Sequence, residues 1–154
     1  MPQDRKRMSN EPTQTEADSL LAMEKHADTS RPYVYPLMGG SLSVPLTSVD
    51  QRERFFLDAY RGRIELRKAT HQNRARSIVV LARLDLGATA HTNPDGVRIV
   101  GDHIHLYREG YGDKWASPIP ERFRGLPDPM SVFEEFMVFC NVTVRPTLQG
   151  GAFR

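Results

Sequence analysis

The residues best suited to catalysis or ligand binding lie in one stretch, residues 101–118, which read GDHIHLYREGYGDKWASP. It contains two imidazoles, two phenols and an amine, from His103, His105, Tyr107, Tyr111 and Lys114. Imidazoles change charge near neutral pH, so they serve as general acids and bases or as metal ligands. Phenols and amines add hydrogen-bond donors. The stretch therefore has the residue types for acid–base chemistry, for metal binding or for recognition of an anionic partner.

Alternation indicates that the histidines share one face of a β-strand. His103, His105 and Tyr107 occupy every second position, and Ile104 and Leu106 lie between them. Successive side chains of a strand point to opposite faces of the sheet. The sequence thus predicts a polar, solvent-facing side that carries the imidazoles, and an apolar side turned toward the core.

Catalysis without a metal is one interpretation of that face. A ribonuclease of the toxin type needs an acid and a base with pKa values near neutrality, and cations to hold the phosphate. We take His103, His105, Tyr107 and Lys114 as the catalytic candidates in that case. Arg63, Arg67 and Arg83 could bind phosphate from neighbouring strands.

A metal site is the second interpretation. Two histidines at i and i+2 lie about 6–7 Å apart along a strand, and His91 could provide a third imidazole to give His91, His103 and His105. A three-histidine site can activate water. Asp102 is the one carboxylate that the sequence places beside the pair. We predict no cofactor and keep these three histidines as candidate ligands only.

The third interpretation is a binding surface without chemistry. Seven cations and a single anion, Glu65, lie between residues 61 and 83. Clustered lysines and arginines are the electrostatic footprint of a nucleic-acid contact. The predicted binding residues are Arg61, Arg63, Arg67, Lys68, Arg74, Arg76 and Arg83, together with Tyr111.

The elements that must position these residues read as an α+β domain. We predict a disordered tail over 1–12, a helical N-terminal arm over 13–32 that begins near Thr15, a single α+β domain over 33–144, and a flexible tail over 145–154. Within the domain we expect a short helix over 48–60, a strand over 61–68, a polar turn at 71–76 and a strand over 77–87. Short strands then surround the histidines, and a final helix has Asp128 as N-cap. The sheet is predicted to be an antiparallel meander of about five strands with flanking helices.

Composition restricts the class of protein. The chain has 154 residues, a formal net charge of +2 and one cysteine, Cys140, so an intramolecular disulfide is excluded. Attraction to nucleic acid must be local, because the whole chain is nearly neutral. We find no apolar run of membrane-spanning length and no hydrophobic leader, and we expect a cytoplasmic protein without a membrane partner.

A resemblance adds context. The segments HTNPDG and HIHLYREGYGDKW, within about residues 50–142, resemble an uncharacterised bacterial domain family that also occurs in prophages and mobile elements. No activity comes with that resemblance. It implies a small accessory protein, of a kind that often acts as a toxin, an antitoxin or an inhibitor of host defence.

From these observations we expect a protein that acts by binding, and we favour this over an enzyme. Its predicted partner is a nucleic acid or a nucleoprotein complex of the host, as for an anti-defence inhibitor such as an anti-CRISPR. A metal-independent endoribonuclease is the alternative. The sequence leaves the oligomeric state open.

Overall fold

A computed structural model describes residues 11–150 of the chain as an α+β fold. The helices are α1 (Gln14–Ala22) and α2 (Pro129–Phe139), and a 3₁₀ turn spans Glu121–Phe123. The strands are β1 (Lys25–Ala27), β2 (Tyr33–Val34), β3 (Ser41–Ser48), β4 (Arg54–Arg61), β5 (Ala69–Ala75), β6 (Val79–Leu86), β7 (Ala90–Thr92), β8 (Arg98–Val100), β9 (His103–Leu106), β10 (Ala116–Pro118), β11 (Val142–Val144) and β12 (Leu148–Gln149).

The main sheet has eight strands, in the order β10-β9-β6-β5-β4-β3-β1-β11. Strands β3 to β6 are consecutive antiparallel neighbours, and β9 and β10 extend the sheet beyond β6. At the other edge, β1 pairs antiparallel with β3 and parallel with β11. The predicted α+β class is confirmed, whereas the predicted simple five-strand meander is wrong.

Two segments in the middle of the chain differ from their predicted structure. The expected helix over 48–60 is largely strand β4, and the expected polar turn at 71–76 is largely strand β5. In β4, Phe55, Leu57 and Ala59 are fully buried at alternate positions. In β5, the polar residues His71 and Asn73 are buried in the same manner. In β4 the residues are apolar on both sides, and in β5 polar residues lie in the core. Both patterns hide the period of two from which a strand is predicted.

The expected strand over 61–68 is instead the connection between β4 and β5. Arg61 pairs with Ala69, and the amide of Gly62 donates to the carbonyl of Lys68 at 2.8 Å. Residues 62–68 therefore form a hairpin loop, which we call the basic loop.

The predicted helical arm over 13–32 is not seen. Helix α1 begins after Thr13, whose Oγ1 accepts a hydrogen bond from the amide of Glu16, and it ends at Ala22. Ala17 and Leu20 are buried against the rest of the fold. The next residues enter the main sheet as β1, so this segment is part of the domain.

One face of the main sheet packs on the helices. Phe133 and Phe136 of α2 are fully buried, as are Phe55 and Leu57 of β4 and Leu84 of β6. Helix α2 starts as predicted, with Asp128 accepting from the amide of Ser131 at 2.8 Å and proline at the first position. The opposite face of the sheet is more polar, and it carries the residues of interest.

The chain ends are only partly described. Most of the predicted disordered tail (1–12) and the end of the predicted flexible tail (145–154) lie outside residues 11–150. In the described part of the predicted flexible tail, Leu148–Gln149 pairs as β12 with β2 in a small parallel sheet. No helix among the described residues is long and apolar enough to cross a membrane.

Lys25 is a buried cation that joins the two helices to the sheet. Its ammonium donates to the carbonyls of Leu21 (2.7 Å), Met23 (2.9 Å) and Cys140 (2.7 Å), and it lies 4.8 Å from the centre of the Phe55 ring. Burial lowers the pKa of Lys25 to about 8, so the group is mainly protonated at neutral pH and can fill all three bonds. It thereby satisfies carbonyls that the ends of α1 and α2 leave without helical partners.

We predict that Lys25→Met destabilises the fold by about 2–4 kcal/mol, because three carbonyls at the helix ends, two part-buried and one buried, lose their donor. Chemical denaturation measures the change in the free energy of unfolding. The control is Lys114→Met, at an exposed lysine, which we expect to change that energy by less than about 0.5 kcal/mol. Equal stability of the two variants would contradict the role assigned to Lys25.

Candidate functional site

The seven predicted cations do not form one surface. Arg74 binds the fully buried Asp58, with its Nε 2.5 Å from Oδ2. Arg76 pairs with Glu53 at 3.0 Å. Arg83 bonds the carboxylate of Asp113 and lies 3.3 Å from that of Asp85. Three of the seven charges are thus matched by carboxylates of the protein itself.

Arg61 supports the basic loop from inside. Its guanidinium donates to the carbonyls of Leu66 (2.9 Å) and Pro36 (3.3 Å) and lies over the Tyr35 ring. These bonds hold the middle of the loop against the strand from which it leaves. Arg61 therefore positions the loop and is not an open contact residue.

The remaining cations, Arg63, Arg67 and Lys68, are exposed in the basic loop. Within residues 11–150, none of the three forms a salt bridge. Two aliphatic side chains lie among them, Ile64 at 92% and Leu66 at 68% exposure. The loop thus presents three cations and two apolar groups to solvent, with Glu65 as its only carboxylate.

The histidines of β9 do share one face, as predicted, but that face is covered. His103 is 3% and His105 is 1% exposed. The hairpin of β7 and β8 lies over them. The His91 ring of β7 lies 4.6 Å from that of His105 and 5.7 Å from that of His103, measured between ring centres. An exposed polar face was expected here, and a covered cluster of three imidazoles is found.

Two contacts attach this hairpin to the sheet. The side chain of Asn93 donates to the carbonyl of Ala116 at 2.9 Å and accepts from its amide at 2.8 Å. Ala116 in turn pairs with His105 across β10 and β9. The turn predicted from HTNPDG thus has a function in the fold: it attaches the hairpin that carries His91 to the edge of the main sheet.

Each of the three rings uses one nitrogen to bond a backbone carbonyl. Nδ1 of His103 bonds Gly101 at 2.8 Å, Nδ1 of His105 bonds Asp113 at 2.7 Å, and Nε2 of His91 bonds Lys114 at 2.8 Å. A carbonyl oxygen only accepts, so each of these nitrogens carries the hydrogen. The lone pair of each neutral ring is therefore on Nε2 of His103, Nε2 of His105 and Nδ1 of His91.

Asp85 faces this cluster from β6. The strand register sets Asp85 opposite His103 and Arg83 opposite His105. Oδ2 of Asp85 lies 3.3 Å from Nε2 of His103 and 3.2 Å from Nε2 of His105, and Oδ1 accepts from the Thr70 hydroxyl at 2.9 Å. Burial alone raises the pKa of Asp85, but the Arg83 charge and the Thr70 bond help to hold it well below its ordinary value.

The other predicted chemical residues lie elsewhere. The Tyr107 hydroxyl donates to the carbonyl of Pro12 in a buried bond. Tyr111 is exposed and contacts the edge of Trp115, whose ring lies 3.9 Å from the Arg108 guanidinium. Lys114 is exposed at its side chain, and only its carbonyl contacts the cluster. The structure therefore brings together His91, His103 and His105 and leaves the tyrosines and the lysine apart.

Sequence reasoning missed Asp85 as a neighbour of the histidines. A strand over 77–87 was predicted, but its pairing with β9 is set by residues distant along the chain, so no local pattern places Asp85 beside His103. Asp102, the carboxylate adjacent in sequence, accepts instead from the amide of Gly87 at 2.8 Å.

The chain was compared with known proteins. No curated protein and no solved structure matches it significantly. One family model, described as a family of unknown function (DUF6978), matches residues 13–142. That match extends from the start of α1 to the start of β11 and includes the basic loop and the covered histidines. It spans most of the chain, so the protein belongs to the DUF6978 family.

Proposed function

We propose that this protein acts by binding nucleic acid through the basic loop, as a small accessory protein of the anti-defence type. The single observation that carries the proposal is the loop itself. Arg63, Arg67 and Lys68 extend from it without carboxylate partners among the described residues, although most other cations of the segment are neutralised. The setting in a phage or mobile element comes from the sequence resemblance alone.

The loop has the properties that a contact surface needs. It is anchored at its base by the Gly62–Lys68 hydrogen bond and by Arg61. Because the loop is already partly ordered, it loses less conformational entropy when a partner binds. Its cations can contact phosphates, while Ile64 and Leu66 can lose exposed apolar surface against bases or sugars. In the isolated fold these cations and apolar side chains are exposed to solvent.

The alternative function, a metal-independent endoribonuclease, gains no support from the histidines. Acid–base catalysis on RNA requires imidazole nitrogens within hydrogen-bond reach of the substrate. His103 and His105 are buried beneath the β7–β8 hairpin, and one nitrogen of each is bonded to a backbone carbonyl. The side chain of Lys114, the candidate phosphate-binding lysine, is exposed to solvent.

We predict that Arg63→Glu combined with Arg67→Glu weakens binding to DNA or RNA by about 100-fold or more, because two phosphate contacts become repulsions. Fluorescence anisotropy with labelled single- and double-stranded oligonucleotides measures the affinity. The fold should be unchanged, since neither side chain is buried.

Arg52→Glu combined with Arg145→Glu is the matched control, because it changes the net charge equally at exposed positions outside the loop. Equal losses in both double variants, or no binding by the wild-type protein, would refute the proposal. Capture of a host complex that survives nuclease treatment, and that is lost with the loop variant, would assign the loop to a protein target instead.

We further predict that the salt dependence of binding counts the loop cations. Three phosphate contacts give a slope of log affinity against log salt of about −2.7 on duplex DNA. Lys68→Met should reduce its magnitude to about 1.8. A slope that does not change in Lys68→Met would exclude that side chain from the interface.

A further inference from the structure

The geometry points to a binding site for a divalent transition metal ion of the zinc class, formed by His91, His103, His105 and Asp85. Within residues 11–150, one nitrogen from each of the three histidines lies within 4.8 Å of one from each of the others. This site is separate from the basic loop and does not depend on the function proposed for it.

The hydrogen bonds of the rings prepare them as ligands. In each ring the nitrogen bonded to a carbonyl, at 2.7–2.8 Å, must be the protonated one. The other nitrogen of each neutral ring then carries the lone pair that a metal ion would bind. Metal-binding histidines commonly have this arrangement, in which a backbone carbonyl or carboxylate fixes the ring and its tautomer. Three independent rings of this protein share it.

Arg83 shows which nitrogen of His105 holds the lone pair. Its Nη2 lies 3.1 Å from Nε2 of His105, and a guanidinium can only donate. Nε2 of His105 is therefore an acceptor, yet it lies 3.2 Å from the carboxylate of Asp85, which is also an acceptor. Two acceptors at that distance repel each other unless a cation lies beside them. Here the Arg83 guanidinium is that cation, since its Nε also lies 3.3 Å from Oδ2 of Asp85, and a metal ion would replace it between the two ligand atoms.

The spacing of these acceptors fits tetrahedral coordination. Ligand atoms about 2.0 Å from a zinc ion lie about 3.3 Å from one another. Oδ2 of Asp85 lies 3.3 Å and 3.2 Å from Nε2 of His103 and His105. Three ligand atoms from β6 and β9 thus already have the separations that a metal requires on two edges of the tetrahedron.

His91 completes the shell from the hairpin. The ligand nitrogens of the three histidines lie within 4.8 Å of one another, so the histidine–histidine separations shorten by at most about 1.5 Å to reach tetrahedral spacing. His91 is in a three-residue strand held by few contacts, so the hairpin can supply this movement. Arg83 gives up its bond to His105 and keeps its bond to Asp113.

The donor set selects the metal. Three imidazoles and one carboxylate suit Zn²⁺, Co²⁺, Ni²⁺ or Cu²⁺, whereas Mg²⁺ and Ca²⁺ require mainly oxygen ligands. Four protein ligands fill a tetrahedral shell, as in zinc sites with a structural role. The ion would connect the β7–β8 hairpin to the main sheet and fix it over β9.

The test uses the full chain, freed of its purification tag and of bound metal by treatment with a chelator. Zn²⁺ is titrated by calorimetry, and Co²⁺ is added as a spectroscopic probe. We expect one ion per chain and the intense visible absorption of tetrahedral Co²⁺. At a free Zn²⁺ concentration 100 times the Kd, Tm should rise by about 5–10 °C.

His91→Ala should lower Zn²⁺ affinity by about 100-fold or more and abolish the tetrahedral spectrum. This variant is chosen because His91 is on the peripheral hairpin and not in the core. The control is His26→Ala, at a histidine that pairs with Glu24 outside the cluster, and it should bind as the wild-type protein does. Absence of binding, binding unaffected by His91→Ala, or a pale octahedral Co²⁺ spectrum would overturn the proposal.

Discussion

The register between β6 and β9 is the constraint on which the polar side of this fold depends. It sets Arg83 opposite His105 and Asp85 opposite His103. A shift of β9 by one residue would turn His103 and His105 to the other face, because side chains alternate along a strand. Leu84 and Ile104, which are buried between them on the helix side, oppose that shift, since they would lose their place in the core. Apolar packing on one face thus aligns the polar cluster on the other.

Local patterns in the sequence predicted those parts of the fold whose period is clear. The final helix, the β6 strand, the HTNPDG turn and the alternation of the histidine strand all have local signals, such as the Asp128 cap followed by proline. The error at β4 arises because the run is apolar on both sides, and the error at β5 arises because polar residues occupy core positions. His71 is an example: it is a fully buried core residue whose Nε2 meets the Tyr35 hydroxyl at 2.9 Å, and burial lowers its pKa to about 3. Nothing local in HQNRAR distinguishes such a histidine from one in an exposed turn.

The candidate site shows the same division. Its residue types were visible in the sequence, including the set His91, His103 and His105. What was not visible is the environment: a hairpin that covers two of the rings, and a carboxylate supplied by strand pairing. The number of cations between residues 61 and 83 did not indicate which charges are neutralised, for a related reason. Carboxylates of the protein neutralise Arg74, Arg76 and Arg83, whereas Arg63, Arg67 and Lys68 of the basic loop have no carboxylate partner among residues 11–150. Burial and pairing are properties of tertiary structure, and both decide what an ionisable side chain can do.

The position of β1 has a consequence for how the chain reaches its native state. This strand lies between β3 and β11, and Lys25 pairs with Val142 while its ammonium bonds the carbonyl of Cys140. Contacts between residues so far apart in sequence close large loops and slow folding. During synthesis β1 can pair with β3 early, but its other edge stays open until residues near 142 leave the ribosome. Until then the nascent chain depends on its surroundings to keep that edge of β1 from pairing with another molecule.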